Sequence, residues 1–103
     1  MKILTFIIPI FNKIIKIKIL NKFKKISKEI RVIIIDDGSN IFYKKKNKEI
    51  VSKFKNIEFF FLKNNKGQSF ACNYGLKKTN TDYIWFFDSD DHVNVNTIKK
   101  VVS

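Results

Sequence analysis

Four short apolar runs divide the chain and alternate with longer, lysine-rich segments. Each run has five to seven residues, is rich in β-branched or aromatic side chains, and is bounded by polar residues. Near-continuous apolar runs of this length are typical of strands buried on both faces, as in a parallel sheet. The runs predict strands over Ile3–Pro9, Arg31–Ile35, Ile57–Leu62 and Tyr83–Phe87.

The segments between the runs are long enough for crossover helices. Within Lys13–Glu29, apolar residues recur every three or four positions, as at Ile15, Ile19 and Phe23, which predicts a helix with one apolar face. Ile15, Ile17 and Ile19 also alternate, so a strand is an alternative there, but the length of the segment and the lysines on its other face favour the helix. Weaker stripes predict helices over Asn40–Lys55, Gln68–Lys78 and Asn94–Val102.

The order β-α-β-α-β-α-β-α predicts an α/β fold with a parallel sheet and right-handed crossovers. With 103 residues, of which 45% are hydrophobic, the chain suits one core, and we expect a single domain over residues 1–103. The longest apolar stretch, Ile3–Phe11, falls short of the roughly 18 residues of a membrane span. Lysines follow it instead of a small-residue cleavage site, so we expect a cytoplasmic chain.

The charge is strongly positive: 21 Lys and Arg face 9 Asp and Glu, for a net charge of +12. A basic surface attracts anionic partners, so a nucleic-acid-binding protein is one alternative. One cysteine and one histidine exclude a disulfide framework and a four-ligand Cys/His zinc site.

Five of the nine acids form two clusters, each directly after an apolar run: Asp36 and Asp37, then Asp88, Asp90 and Asp91. In open α/β sheets the ligand crevice lies outside the carboxyl ends of the strands. Carboxylates two residues apart present hard oxygens to Mg²⁺ or Mn²⁺. Both clusters are also good turn formers, and either interpretation holds for one cluster alone. Their joint placement favours a site.

Four motifs, IIPIFN, VIIIDDGSN, NKGQSFACNYGL and DYIWFFDSDD, resemble family 2 glycosyltransferases of the GT-A fold in order and spacing, from about Ile3 to Val102. The resemblance implies a Rossmann-like GT-A half-domain that binds a nucleotide-diphospho-sugar, most simply a UDP-sugar, for transfer to a glycan or lipid-linked acceptor in polysaccharide biosynthesis. Together with the alternation of elements, it predicts a four-stranded parallel sheet in the order 3-2-1-4 with helices on both faces.

By the same resemblance, two groups of residues bind the nucleotide. Pro9 and Phe11 would lie beside the base, with Phe11 where a tyrosine is usual, so stacking is kept and the hydroxyl is lost. Asp37 would accept a hydrogen bond from the base edge, and Asp36 would support the ribose.

The resemblance also implies a divalent metal, Mn²⁺ or Mg²⁺. Asp88 and Asp90 match the family's DxD motif, with one carboxylate toward the ribose and one toward the metal on the diphosphate. Asp91 is a further candidate ligand. The metal would neutralise the departing nucleoside diphosphate.

Two departures from the family pattern bear on activity. Cys72 stands where an arginine usually helps to bind the donor. The carboxylate that activates the acceptor lies further along the family's chain, so we identify no catalytic residue here and expect that base beyond Ser103. The resemblance therefore predicts a truncated donor-binding half that is inactive alone. A non-catalytic remnant of the same fold is the alternative.

The helix after Gly67 and the lysine-rich helices each allow more than one interpretation. The amino end of the helix after Gly67 either meets a phosphate or is an ordinary loop-to-helix junction. The lysine-rich helices are either ordinary solvated faces or, with the lipid-linked acceptors that the resemblance implies, surfaces for peripheral contact at the inner face of the membrane.

Overall fold

The computed structural model of the chain describes residues 2–25 and 29–88, and it contains four strands and three helices in these ranges. The strands form one sheet, and all of its pairings are parallel. In chain order the elements are β1 (Leu4–Ile10), α1 (Ile17–Lys24), β2 (Ile30–Asp36), α2 (Ile41–Val51), β3 (Ile57–Phe61), α3 (Gln68–Lys77) and β4 (Tyr83–Phe86).

The strand order is β3-β2-β1-β4, which confirms the predicted 3-2-1-4 sheet. β1 lies between β2 and β4, with Ile10 opposite Asp36 on one side and Ile7 opposite Phe86 on the other. Because all four strands are parallel, the residues that follow β1, β2 and β4 emerge at the same edge of the sheet. This edge therefore receives the segments after the first, second and fourth apolar runs.

Both faces of the sheet are covered by helices, as predicted. Side chains alternate between the faces of a strand, so Phe6 and Ile34 pack with α1 and α2, whereas Ile7 and Ile35 pack with α3. α3 lies very close to the sheet at Gly75. A Cβ at this position would lie 2.7 Å from Cγ2 of Ile7, so the absence of a side chain permits the approach.

α1 is shorter than the spacing predicted, and it forms as a helix, which settles the open alternative of a strand at Ile15–Ile19. The helix begins at Ile17, so Ile15 belongs to the preceding loop although it is buried. The helix predicted over Asn94–Val102 lies outside the described residues. Within the described ranges, none of the helices has the length and apolar character to cross a membrane.

Arg31 connects three elements on the α3 side of the sheet. Its Nε and Nη2 donate to the two carboxylate oxygens of Glu58 on β3, at 2.5 and 2.9 Å, and its Nη1 donates to the carbonyl oxygen of Lys78 at the end of α3, at 2.6 Å. The hydrogen bond with Glu58 raises the pKa of Arg31 above its ordinary value. Arg31 thus joins β2 to β3 through a charged, two-pronged contact, and it joins β2 to the end of α3 through a third hydrogen bond.

Candidate functional site

A pocket of about 300 Å³ opens at the carboxyl edge of the sheet. It contains residues from the segments that follow β1, β2 and β4, together with the loop before α3. Four residues that the sequence singled out line it, namely Pro9, Phe11, Asp37 and Asp88. Its other lining residues are Ile10, Lys13, Asn65, Gly67 and Gln68.

One wall of the pocket is the loop after β1. Phe11 is 44% exposed, so its ring is available to stack against a planar ligand. The chain turns at Asn12, whose φ of 49° is a left-handed conformation that asparagine tolerates better than most residues. The Asn12 amide donates to Oγ of Ser39 at 2.8 Å, and Oδ1 of Asn12 accepts from the Asn40 amide at 2.9 Å.

The opposite wall is organised by Asp37, which is almost fully buried. Its Oδ1 accepts from the Lys66 amide at 2.8 Å, and its Oδ2 accepts from the Gly67 amide at 2.9 Å and from Nδ2 of Asn65 at 3.0 Å. A carboxylate has about four acceptor sites, so these three donors leave room for one ligand donor. The Gly67 amide is used by Asp37, which favours the ordinary loop-to-helix junction over a phosphate contact at that amide.

Gly38 lets the two loops of this wall meet. Its φ is +70°, and a Cβ there would lie 2.2 Å from the carbonyl carbon of Asn64 and 2.2 Å from the amide nitrogen of Asn65. Any side chain at position 38 would therefore overlap the backbone of the loop that Asp37 holds. The glycine in the Asp-Asp-Gly-Ser run is required for this packing.

Asp36 is fully buried and is not among the residues that line the pocket. Its Oδ1 accepts from the Ser39 amide at 2.7 Å, which is the turn-forming contact that the sequence allowed. Among the described residues, Oδ2 of Asp36 has no hydrogen-bond partner. The contact of Asp36 with a ribose stays a prediction.

Asp88 is exposed, lies two residues after the end of β4 and lines the pocket. Asp90 and Asp91 lie outside the described residues. Within residues 2–25 and 29–88, no group of three or more His, Cys, Asp or Glu side chains could hold a metal ion. The described part of the site offers the carboxylate of Asp88, an oxygen donor of the kind that Mg²⁺ and Mn²⁺ prefer. The carboxylate of Asp37 in the same pocket is already bound by three hydrogen-bond donors.

None of the described residues was identified from the resemblance as the carboxylate that activates the acceptor. The position of this base therefore stays a prediction.

Cys72 is half-buried on α3 and lines a shallow depression with Gln68, Ser69, Asn73 and Phe86. Gln68 lines both this depression and the main pocket, so the two are neighbours. Burial raises the pKa of the Cys72 thiol, which disfavours the reactive thiolate. The thiol therefore behaves as a small apolar side chain.

Two polar pocket residues, Lys13 and Asn65, were not predicted from the sequence as site residues. Asn65 belongs to the polar run Asn64–Lys66, which has the composition of an ordinary loop. Lys13 is one of many lysines, and the sequence around it does not distinguish it from the others. Only the three-dimensional arrangement separates these residues from the surrounding polar surface.

The family model for glycosyl transferase family 2 matches residues 5–103. An uncharacterized glycosyltransferase of Haemophilus influenzae is 33% identical over 102 residues, which are 97% of this chain and 41% of that protein. The poly(ribitol-phosphate) beta-N-acetylglucosaminyltransferase TarP of Staphylococcus aureus is 38% identical over 98 residues, which are 88% of this chain and 29% of TarP.

Among solved structures, S. aureus TarS 1–349 in complex with UDP-GlcNAc superimposes with a TM-score of 0.73 at 28% identity, over 98% of this chain and 30% of that one. The chain thus spans 41% or less of the length of these relatives. Its sheet order, the motifs at the carboxyl edge of the sheet and the family match agree, and the chain belongs to glycosyl transferase family 2.

Proposed function

We propose that the chain forms the donor-binding part of a glycosyltransferase and binds a UDP-sugar in the pocket at the carboxyl edge of the sheet. The observation that carries this proposal is the convergence of Pro9, Phe11, Asp37 and Asp88, from three separate motifs, on one pocket. The similarity to TarS, which was solved with UDP-GlcNAc, supports a uridine nucleotide as the ligand.

The pocket residues have distinct parts in this proposal. The exposed ring of Phe11 stacks on the base, which every planar base permits. Asp37, already fixed by three donors, accepts a hydrogen bond from the N–H edge of the base with its remaining acceptor site. Since Asp37 is held in place before the ligand arrives, little side-chain freedom is lost on binding.

We further propose that Asp88, Asp90 and Asp91 hold a Mn²⁺ or Mg²⁺ ion. Such an ion supplies positive charge that stabilises the departing nucleoside diphosphate. Asp88 lines the same pocket as Phe11 and Asp37, so its carboxylate belongs to the site in which a nucleotide stacked on Phe11 would carry its diphosphate.

The acceptor in this proposal is a glycan or a lipid-linked saccharide. Activation of its hydroxyl needs a general base, and we expect that base from a part of the enzyme other than the donor motifs. In this proposal the enzyme acts in the cytoplasm at the inner face of a membrane. Its net charge of +12 supports this location, because the anionic lipids of that face attract lysine-rich surfaces.

Calorimetric titration with UDP tests the proposal. We expect binding in the presence of Mn²⁺, and a loss of about tenfold or more in affinity on addition of EDTA or on Asp90→Ala substitution. Asp82→Ala is the matched control, because Asp82 is an exposed acid next to the opposite end of β4. Affinity that is the same with and without metal, or the same in Asp90→Ala, would contradict the metal site, and the absence of any UDP binding would contradict the donor pocket.

A further inference from the structure

Asn47 is a fully buried polar residue on a helix whose neighbouring positions are mostly lysines. Burial of an amide side chain costs free energy unless its hydrogen-bonding groups find partners. A buried asparagine at this position therefore needs a reason that an apolar residue would not provide.

Both ends of the Asn47 amide bind the backbone of the loop that follows β1. Its Oδ1 accepts from the Ile15 amide at 2.8 Å, and its Nδ2 donates to the carbonyl oxygen of Lys13 at 2.7 Å. The two contacts join segments that are 32 and 34 residues apart in the chain. One side chain of α2 thus fixes the backbone of the loop on both sides of Ile14.

This loop forms part of the pocket without regular secondary structure of its own. Residues 11–16 belong to neither a helix nor a strand, and residues 11–14 are exposed. Phe11 and Lys13 line the pocket, and the carbonyl group that Asn47 binds is that of Lys13 itself. Ile15, whose amide Asn47 binds, is buried in the core below.

We propose that Asn47 is a positioning residue for the donor pocket, which holds the loop so that Phe11 and Lys13 form its wall. The inference rests on the proposed function, since it assigns Asn47 to the same pocket. Without the Asn47 amide, the Ile15 amide and the Lys13 carbonyl group lose their partners. They would recover hydrogen bonds most easily from water, by movement of the loop away from α2.

The test compares wild type, Asn47→Ala and the control Asn21→Ala, which removes an exposed asparagine from α1. UDP affinity is measured by calorimetry at a temperature where circular dichroism shows all three proteins folded. We expect Asn47→Ala to weaken UDP binding by about tenfold, and Asn21→Ala to leave it unchanged. A purely structural role would lower the melting temperature without changing the affinity of the folded protein, and this result would overturn the proposal.

Amide hydrogen exchange followed by NMR gives a second readout that needs no nucleotide. In wild type we expect the Ile15 amide to be protected although the loop around it is exposed, and in Asn47→Ala we expect this protection to be lost. Fast exchange of Ile15 in wild type would overturn the proposal, even if Asn47→Ala does not fold. If wild type fails to bind UDP, the proposed function is wrong, and the exchange of Ile15 together with the chemical shifts of Phe11 and Lys13 still decides whether Asn47 positions the loop.

Discussion

Substitution of Gly38 by alanine should disrupt the candidate pocket through a backbone contact. The added Cβ would lie 2.2 Å from backbone atoms of Asn64 and Asn65, whereas ordinary contacts of a Cβ are 3.4–4 Å. One of the two loops must therefore move by about 1 Å to remove the overlap. Gly38 also has a φ of +70°, which an alanine adopts only with strain.

The cost follows from the contacts that such a movement breaks. The left-handed backbone costs about 1–2 kcal/mol for a residue other than glycine. The moving loop carries three donors to the Asp37 carboxylate, and a hydrogen bond to a charged group contributes about 1.5–3 kcal/mol. Loss of one of these bonds together with the strain gives a decrease of about 2.5–5 kcal/mol in the free energy of unfolding. In a domain of this size, that lowers the melting temperature by at least about 10 °C.

Gly67→Ala is the matched control for this prediction. Gly67 also has a positive φ, of +97°, but among the described residues other than its two chain neighbours, no atom lies within 4 Å of the position of its added Cβ. The control therefore has backbone strain of about 1–3 kcal/mol without the overlap. Thermal unfolding by circular dichroism compares the two variants, and a UDP titration shows whether the pocket survives. A Gly38→Ala protein that is as stable as Gly67→Ala and binds UDP equally well would refute the reasoning.

Two further predictions concern the α3 side of the sheet. Glu58→Gln removes the charged partner of Arg31. Because the pair is partly exposed to solvent, we expect the free energy of unfolding to fall by only about 0.5–1 kcal/mol. Urea unfolding at low and high salt measures this loss, and an unchanged midpoint would show that the ion pair does not stabilise the fold. Burial raises the pKa of the Cys72 thiol. Iodoacetamide should therefore modify Cys72 more slowly in the folded protein than in the urea-unfolded protein at about pH 8–9, a range near the ordinary thiol pKa of about 8.5. Because the folded state holds the thiol proton more tightly, the contribution of Cys72 to stability is present below the ordinary thiol pKa and is lost as the pH rises through the raised pKa of the folded state. Equal rates of modification in the folded and unfolded proteins would contradict the burial of the thiol.

The sheet could be predicted from the sequence because each strand is an apolar run of strand length with polar boundaries. The run at Ile57–Leu62 became β3 with a difference of one residue at its end. The first residue of α1 was harder to predict, because the apolar spacing of the helix extends back to Ile15, which lies in the preceding loop. Ile15 is held there because its amide is bound by Asn47, and periodicity along the chain carries no information about such a distant partner.

The site residues that belong to the sequence motifs could be predicted, whereas the contacts that hold them in place could not. Asp37 and Phe11 were identified in the sequence, and the structure brings them into one pocket. That Asp37 also holds the loop at Lys66–Gly67 could not be predicted, because backbone amides have no sequence signature. Asn47 falls within the weak stripe that predicts a helix over Asn40–Lys55, and its role could not be predicted, since a buried asparagine and an apolar residue have the same spacing on a helix.

Replacement of Cys72 by arginine should tighten donor binding, because family 2 enzymes usually have an arginine at this position of the motif. Side chains of a helix point toward its amino end, so an arginine at position 72 would extend over Gln68, which lines both the depression around Cys72 and the main pocket. A guanidinium near the donor diphosphate would add a charge-assisted contact, and we expect UDP affinity to rise about five- to tenfold at low salt and to rise less at high salt. Leu76→Arg adds the same charge one helical turn further from the pocket and should change the affinity little. Equal effects of the two substitutions would show that only the net charge matters, and no gain from Cys72→Arg would show that position 72 does not face the donor.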